Sequence, residues 1–187
     1  MDQRSEVGRL FIAVPLAESL QKAIGDWTQE HRGQLQFRKW VHPADMHITL
    51  QFLGDTPMQN VPQLREELRN AAKGFGSFQL EVRGMGTFGR PAGPSILWTG
   101  VDGQTNRLTD LHKRVVSATT RLGFKPEERP YKPHITLARS FQGSNPFNPS
   151  ELDLKILFGE WNPDSFVIYR TRMGQIPMYE VIQRIML

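Results

Sequence analysis

The chain contains no cysteine among its 187 residues, so it has no disulfide framework, no thiolate metal site and no cysteine nucleophile. It has no apolar run that approaches the ~20 residues needed to span a bilayer, and residues 1–6 lack a signal-peptide core. The Gly-rich G-x-x-x-x-G-K loop of nucleoside triphosphate hydrolases is missing as well. We therefore expect a cytoplasmic protein with no membrane association.

The composition is typical of a globular protein, with 39% hydrophobic and 22% charged residues. A length of 187 residues suffices for one domain with a sizeable core. We expect residues 1–187 to form a single two-lobed domain that acts as a monomer. The net charge of +4 is as compatible with ordinary solubility as with a polyanionic partner.

The most informative feature of the chain is a repeated tetrapeptide, His-Ile-Thr-Leu, at 47–50 and again at 134–137. Two independent matches to His-apolar-Thr-apolar are expected in about one of a thousand chains of this composition. Side chains at i and i+2 of a strand share a face, so each copy sets an imidazole beside a hydroxyl and turns Ile and Leu the other way. Two facing copies would form a site with two imidazoles and two hydroxyls.

Hydrophobic periodicity and turn residues predict the elements around the two copies. Helices are expected over 17–31, stopped by Gly33, and over 61–75 and 108–122. Besides the motif strands, strands are expected over 9–14, 78–82, 95–101, 166–172 and 179–186, with a loop over 84–94. This order predicts an α+β fold with two pseudo-symmetric lobes. Each lobe is expected to be an antiparallel β-sheet with outer helices, and the lobes to flank a central cleft.

A pair of opposed imidazoles is suited to phosphodiester cleavage. Imidazole accepts a proton and imidazolium donates one near neutral pH. Of His47 and His134, one can therefore remove a proton from an attacking oxygen while the other supplies a proton to a leaving oxygen in the same turnover. The hydroxyls of Thr49 and Thr136 would hold the non-bridging phosphate oxygens. Because protons perform the activation, we expect neither a metal nor another cofactor. Four nearby cations would strengthen the field felt by the anion: Arg38, Lys39, Lys132 and Arg139.

These residues resemble a known family. The segments Arg38-Lys39-Trp40-Val41, His47-Ile48-Thr49-Leu50-Gln51-Phe52-Leu53-Gly54 and Pro133-His134-Ile135-Thr136-Leu137-Ala138-Arg139 closely resemble the 2H phosphoesterases. Among these they look most like the bacterial RNA 2′,3′-cyclic phosphodiesterases, historically called 2′-5′ RNA ligases. The resemblance covers most of the chain, including the strand at 9–14, the Gly86-Thr87-Phe88 turn and the strand around Trp98. The two motif copies are specific together and weak singly.

The resemblance implies hydrolysis of 2′,3′-cyclic phosphates at RNA ends or on nucleotides, which leaves a 2′-phosphate. By the same analogy His134 is the base that activates water and His47 is the acid, although the sequence leaves the reverse assignment open. Phe52 is expected to stack on the nucleobase. Further substrate contacts are expected from Arg139, Lys132 and Arg90. Strict alternation from the histidines would turn Phe52 and Arg139 to the opposite face, so both assignments require a bulge or a strand end.

Three other functions remain open from the sequence. The same site could join RNA ends in a 2′-5′ linkage, or act on small 2′-5′ or cyclic nucleotides, or bind nucleotides or RNA without catalysis. A metal cluster of His42, Asp45 and His47 is disfavoured, because His42 and Asp45 have opposite parity and lie in a proline-containing segment. Trp40, Trp98 and Trp161 are expected to be core aromatics rather than platforms for a base.

Overall fold

The structure, a computed structural model, describes residues 6–187. Its strands are β1 (Val7–Pro15), β2 (Phe37–Trp40), β3 (His47–Pro57), β4 (Leu80–Arg90), β5 (Gly93–Gly103), β6 (His134–Phe141), β7 (Leu157–Trp161), β8 (Ser165–Thr171) and β9 (Tyr179–Met186). Its helices are α1 (Glu18–Leu35), α2 (Val61–Ala72) and α3 (Thr105–Arg121). The two motif copies therefore open β3 and β6.

The strands form one antiparallel sheet in the order β7-β4-β5-β6-β3-β1-β8-β9, and β2 also pairs with β6. Two half-sheets meet at its centre, β3-β1-β8-β9 on one side and β6-β5-β4-β7 on the other. A single antiparallel pair, Ile48 with Ile135, joins them. The predicted α+β fold is thus confirmed, with the sheets of the two lobes continuous through the motif strands.

Each half-sheet has its own helical cover. Helix α1 packs against β2 and β7, whereas α2 packs against α3 and β9, and α3 against β3. The apolar stripes of the helices face the sheet, as the complete burial of Ile24, Leu64 and Leu108 shows. Within residues 6–187, no helix combines the length and the hydropathy needed to cross a membrane.

Helix α1 runs further than the sequence predicted. Gly33 was expected to stop it, but the helix continues through Gly33 to Leu35 and ends where Gln36 adopts a φ of 50°. Leu35 is 3% exposed. Burial of such a side chain contributes about 1.5–3 kcal/mol, which offsets the roughly 1 kcal/mol cost of a helical glycine.

The segment 84–94 is a β-hairpin, so the loop predicted from its glycines and prolines is wrong. Strand β4 continues to Arg90 and β5 begins at Gly93, with two register shifts between them. Gly84 and Gly89 have φ values of 70° and 104°. They occupy the bulges, where glycine adopts a positive φ without steric cost. Glycine here shapes a strand rather than ending it.

Candidate active site

The four polar residues of the two motif copies lie together at the centre of the sheet. Antiparallel pairing of Ile48 with Ile135 sets each histidine opposite the threonine of the other strand. The two isoleucines are completely buried, whereas the alternate positions on the other face remain partly exposed: His47, Thr49, His134 and Thr136. The two histidines are then diagonal neighbours, whose Cα atoms in an ordinary ladder are about 7–8 Å apart. The predicted alternation is confirmed.

Both imidazole rings are held in the same way. Nδ1 of His47 lies 2.6 Å from the carbonyl oxygen of Asp45, and Nδ1 of His134 lies 2.7 Å from the carbonyl oxygen of Lys132. A carbonyl only accepts, so each Nδ1 carries the proton and donates it. Each Nε2 is then the basic atom that exchanges a proton. Nε2 of His47 accepts from the hydroxyl of Thr49 at 3.1 Å.

His47 is enclosed by three aromatic rings. The ring centroids of Phe11, Tyr179 and Tyr169 lie 4.9, 5.4 and 5.7 Å from its own. This burial lowers the pKa of His47 from 6.5 to about 4, because an apolar surrounding disfavours the imidazolium. The bond to the Asp45 carbonyl opposes the effect. The positive charge of Arg139 adds to it, as does His134 to a smaller extent.

His134 has a more open environment. The Phe88 ring meets it edge-on at 4.9 Å and the Trp98 ring lies 6.5 Å away. Burial again lowers its pKa, with a smaller contribution from Arg139. Trp98 packs over Gly86, where any Cβ would overlap the indole ring. Trp98 was expected to be a core aromatic, but it pairs with Thr136 in register and borders the site.

Two bulges bring Phe52 and Arg139 to the histidine face. In β3 the register against β1 skips Leu50, and in β6 the register against β5 skips Leu137. Each skipped residue and the one after it, Leu50 with Gln51 and Leu137 with Ala138, are both buried, and the alternation then resumes in the opposite phase. Phe52 is 63% exposed, with its ring 5.8 Å from that of Phe11. The parity conflict seen in the sequence is thereby removed.

Asp45 is a residue of the site that the sequence did not reveal. Its side chain is 4% exposed. The carboxylate accepts backbone N–H bonds from Met178 at 2.9 Å and Tyr179 at 3.0 Å, while its carbonyl holds His47. It therefore fixes the start of β9, and with it the Tyr179 ring, against the imidazole. Its partners lie more than 130 residues away in sequence, so no local pattern marks them.

The site opens into a cavity of about 920 Å³. Its lining includes two motif residues, His47 and Thr136, and four cations: Arg32, Arg38, Lys39 and Arg139. Lys132 and Arg90 do not line it; Lys132 adjoins the site through its carbonyl, and Arg90 sits at the tip of the β4–β5 hairpin. Within residues 6–187, no three side chains of His, Asp or Glu are grouped as metal ligands would be.

Comparison of the sequence with known proteins gives consistent matches. The family model described as the 2′-5′ RNA ligase superfamily matches residues 16–172. A Geobacillus stearothermophilus protein named RNA 2′,3′-cyclic phosphodiesterase is 40% identical over 173 residues, which are 92% of this chain and 55% of that protein. This chain therefore spans about half the length of that relative. A Bacillus subtilis protein of the same name is 31% identical over 92% of both chains.

Solved structures share the fold. The crystal structure of E. coli LigT complexed with 3′-AMP has a TM-score of 0.79 at 23% identity, and the match covers 97% of this chain and 99% of that one. A Thermus thermophilus protein has a TM-score of 0.78 at 26% identity, covering 96% and 97%. The architecture seen here is thus one that solved proteins adopt over nearly their whole length.

Proposed function

The chain belongs to the 2′-5′ RNA ligase superfamily, and from that premise we propose that it is an RNA 2′,3′-cyclic phosphodiesterase, the name that its curated relatives carry. It hydrolyses the cyclic phosphate at an RNA end or on a nucleotide and leaves a 2′-phosphate. One observation carries the proposal: two imidazoles and two hydroxyls from distant segments share one face across the Ile48–Ile135 pair. All of them come from one chain, so the chemistry requires no oligomer.

Opening the cyclic phosphate needs two proton movements. Water loses a proton as its oxygen forms a bond to phosphorus, and the 3′ oxygen gains a proton as its bond to phosphorus breaks. One Nε2 atom accepts the first proton and the other Nε2 atom supplies the second. Each such proton transfer by a positioned side chain typically raises the rate by a factor of about 10² to 10⁴. The bonds from Nδ1 to the carbonyls hold both rings in the tautomer that this exchange requires.

We assign His134 as the base and His47 as the acid. His134 has the more open surroundings, so an attacking water can reach its Nε2. His47 lies inside the nest of Phe11, Tyr169 and Tyr179, which suits a leaving oxygen that must be shielded from water. A low pKa makes the His47 imidazolium a strong proton donor. The negative charge of the bound phosphate favours protonation of His47 while the substrate occupies the site.

The remaining substrate contacts come from residues that lie on the same face of the sheet as the two histidines. The Thr49 and Thr136 hydroxyls donate to the non-bridging oxygens, where the negative charge of the transition state lies. For Thr49 this replaces its present bond to His47. Arg139 neutralises the anion, and the exposed ring of Phe52 stacks on a nucleobase. Lys132 and Arg90 remain predicted substrate contacts at the edge of the site.

The test uses purified protein and a nucleoside 2′,3′-cyclic phosphate. We expect His47→Ala and His134→Ala each to lower kcat by about 10² to 10⁴, while EDTA leaves the unsubstituted protein active. His31→Ala replaces a partly buried histidine of α1 that does not line the cavity; it is the matched control and should keep full activity. Normal turnover by either motif variant would remove the proposal. Nucleotide binding without product release would instead indicate a non-catalytic binding module.

A further inference from the structure

The cavity at the site is larger than the motif residues require. Its volume of about 920 Å³ lies near the upper end of the ~300–1,000 Å³ typical of ligand pockets. His47, Thr136 and Arg139 line one end. The remainder runs between α1, β2 and the residues before β9, and we name this part the α1–β2 groove. It extends to one side only, since neither Thr49 nor His134 lines it.

The α1–β2 groove is lined by cations that lack acidic partners. Arg32 of α1 and Arg38 and Lys39 of β2 are exposed along it. Within residues 6–187 none of the three forms an ion pair. The carboxylate in the lining, that of Asp45, is already engaged by two backbone N–H groups. Four cations line the cavity (Arg32, Arg38, Lys39 and Arg139) against this one carboxylate, so the groove is electropositive.

A pair of like charges lies where the groove meets the site. Lys39 of β2 is directly opposite Arg139 of β6 in the antiparallel ladder. Like charges in such a pair destabilise a sheet. A phosphate between the two side chains would turn this repulsion into two attractive contacts, and Arg139 would then serve both the reacting phosphate and the next one along.

The chemistry of the substrate fixes what the groove would hold. A 2′,3′-cyclic phosphate occurs at the 3′ end of an RNA, so every other nucleotide is attached through the 5′ oxygen of the terminal residue. With the cyclic phosphate between the histidines, the rest of the RNA must leave the site in one direction. The α1–β2 groove is a one-sided exit of that kind.

We infer that the α1–β2 groove binds the phosphodiester backbone of the nucleotides that precede the cyclic end. The inference rests on the proposed function and deepens it, since it makes an RNA end, rather than a mononucleotide, the preferred substrate. Arg32, Arg38 and Lys39 contact backbone phosphates and read no bases, so the preference is independent of sequence.

The experiment compares two substrates with the same reacting group, a nucleoside 2′,3′-cyclic phosphate and an RNA of about six nucleotides that ends in it. The groove variant carries Arg32→Gln, Arg38→Gln and Lys39→Gln. We expect its ratio of kcat/KM for the RNA over the mononucleotide to fall about tenfold or more at low salt. The slope of log kcat/KM for the RNA against log salt should become shallower by about 2, at roughly 0.7 per lost phosphate contact with a single strand.

The control variant carries Lys73→Gln, Lys113→Gln and Lys155→Gln. It loses the same charge from exposed residues that do not line the groove, and it should keep the ratio and the slope. An equal loss on both substrates, or an equal effect of the two variants, would overturn the inference.

A direct binding measurement separates this inference from the proposed function. The probe is the same RNA with a 2′-phosphate end, and its Kd should rise about tenfold or more in the groove variant but not in the control. If the unsubstituted protein hydrolyses neither substrate, the proposed function fails while this measurement still judges the groove. If hydrolysis is normal and the Kd is the same in both variants, the groove inference alone fails.

Discussion

Burial of His47 makes the folded protein less stable at low pH. Burial lowers the pKa of His47 from 6.5 to about 4. Between these values the unfolded chain binds a proton at this residue and the native state does not. The unfolded state therefore holds more protons, so the free energy of unfolding is unaffected well above pH 6.5 and decreases as the pH falls toward 4. At about pH 5 the two pKa values give a loss of about 2 kcal/mol relative to about pH 7.

The substitution His47→Asn removes the titrating group. We measure urea unfolding by tryptophan fluorescence at several pH values between about 7 and 5. The unsubstituted protein should lose about 2 kcal/mol more than the variant over this interval, whatever the difference between them at neutral pH. Phe52→Ala alters the same cleft without removing a titratable group and should keep the pH dependence of the unsubstituted protein. Parallel curves for the unsubstituted protein and His47→Asn would refute the argument from burial.

Three further predictions concern the site. The profile of kcat/KM against pH should be bell-shaped with its maximum below pH 6.5, because burial lowers the pKa of both His47 and His134; a maximum above neutrality would contradict it. Replacing the bridging 3′ oxygen by sulfur, which leaves without protonation, should restore turnover to His47→Ala and not to His134→Ala; the opposite pattern would reverse the assigned roles. Gly86→Ala should lower the free energy of unfolding by about 1–3 kcal/mol, because the added Cβ overlaps the Trp98 ring. Gly33 has open space around it, so Gly33→Ala should be neutral or stabilising; thermal unfolding of both variants measures the difference.

The motif faces could be predicted because strand alternation is a local rule. Ile48 and Ile135 needed only the period of two residues to be assigned to the core, and the polar partners followed. The spacing also predicted the three helices, since their apolar stripes repeat within a few residues. Where burial outweighed a local signal, as at Leu35 after Gly33, the prediction stopped short.

The features that could not be predicted depend on contacts between distant segments. The bulges at Leu50 and Leu137 exist only relative to the neighbouring strands β1 and β5, so the faces of Phe52 and Arg139 were ambiguous in the sequence. Asp45 finds its partners at 178 and 179, beyond any local window. These long-range contacts place Phe52, Arg139 and Asp45 beside the motif histidines, which the sequence alone had identified.

The central claim, that two histidines act on one cyclic phosphate and expel its 3′ oxygen, is tested most directly by analysis of the product. Purified protein is incubated with an RNA that carries a 2′,3′-cyclic phosphate, and the new terminus is identified by its sensitivity to phosphatase and by comparison with synthetic standards. The account predicts a 2′-phosphate and a free 3′ hydroxyl. A 3′-phosphate, or an unchanged cyclic end, would contradict it.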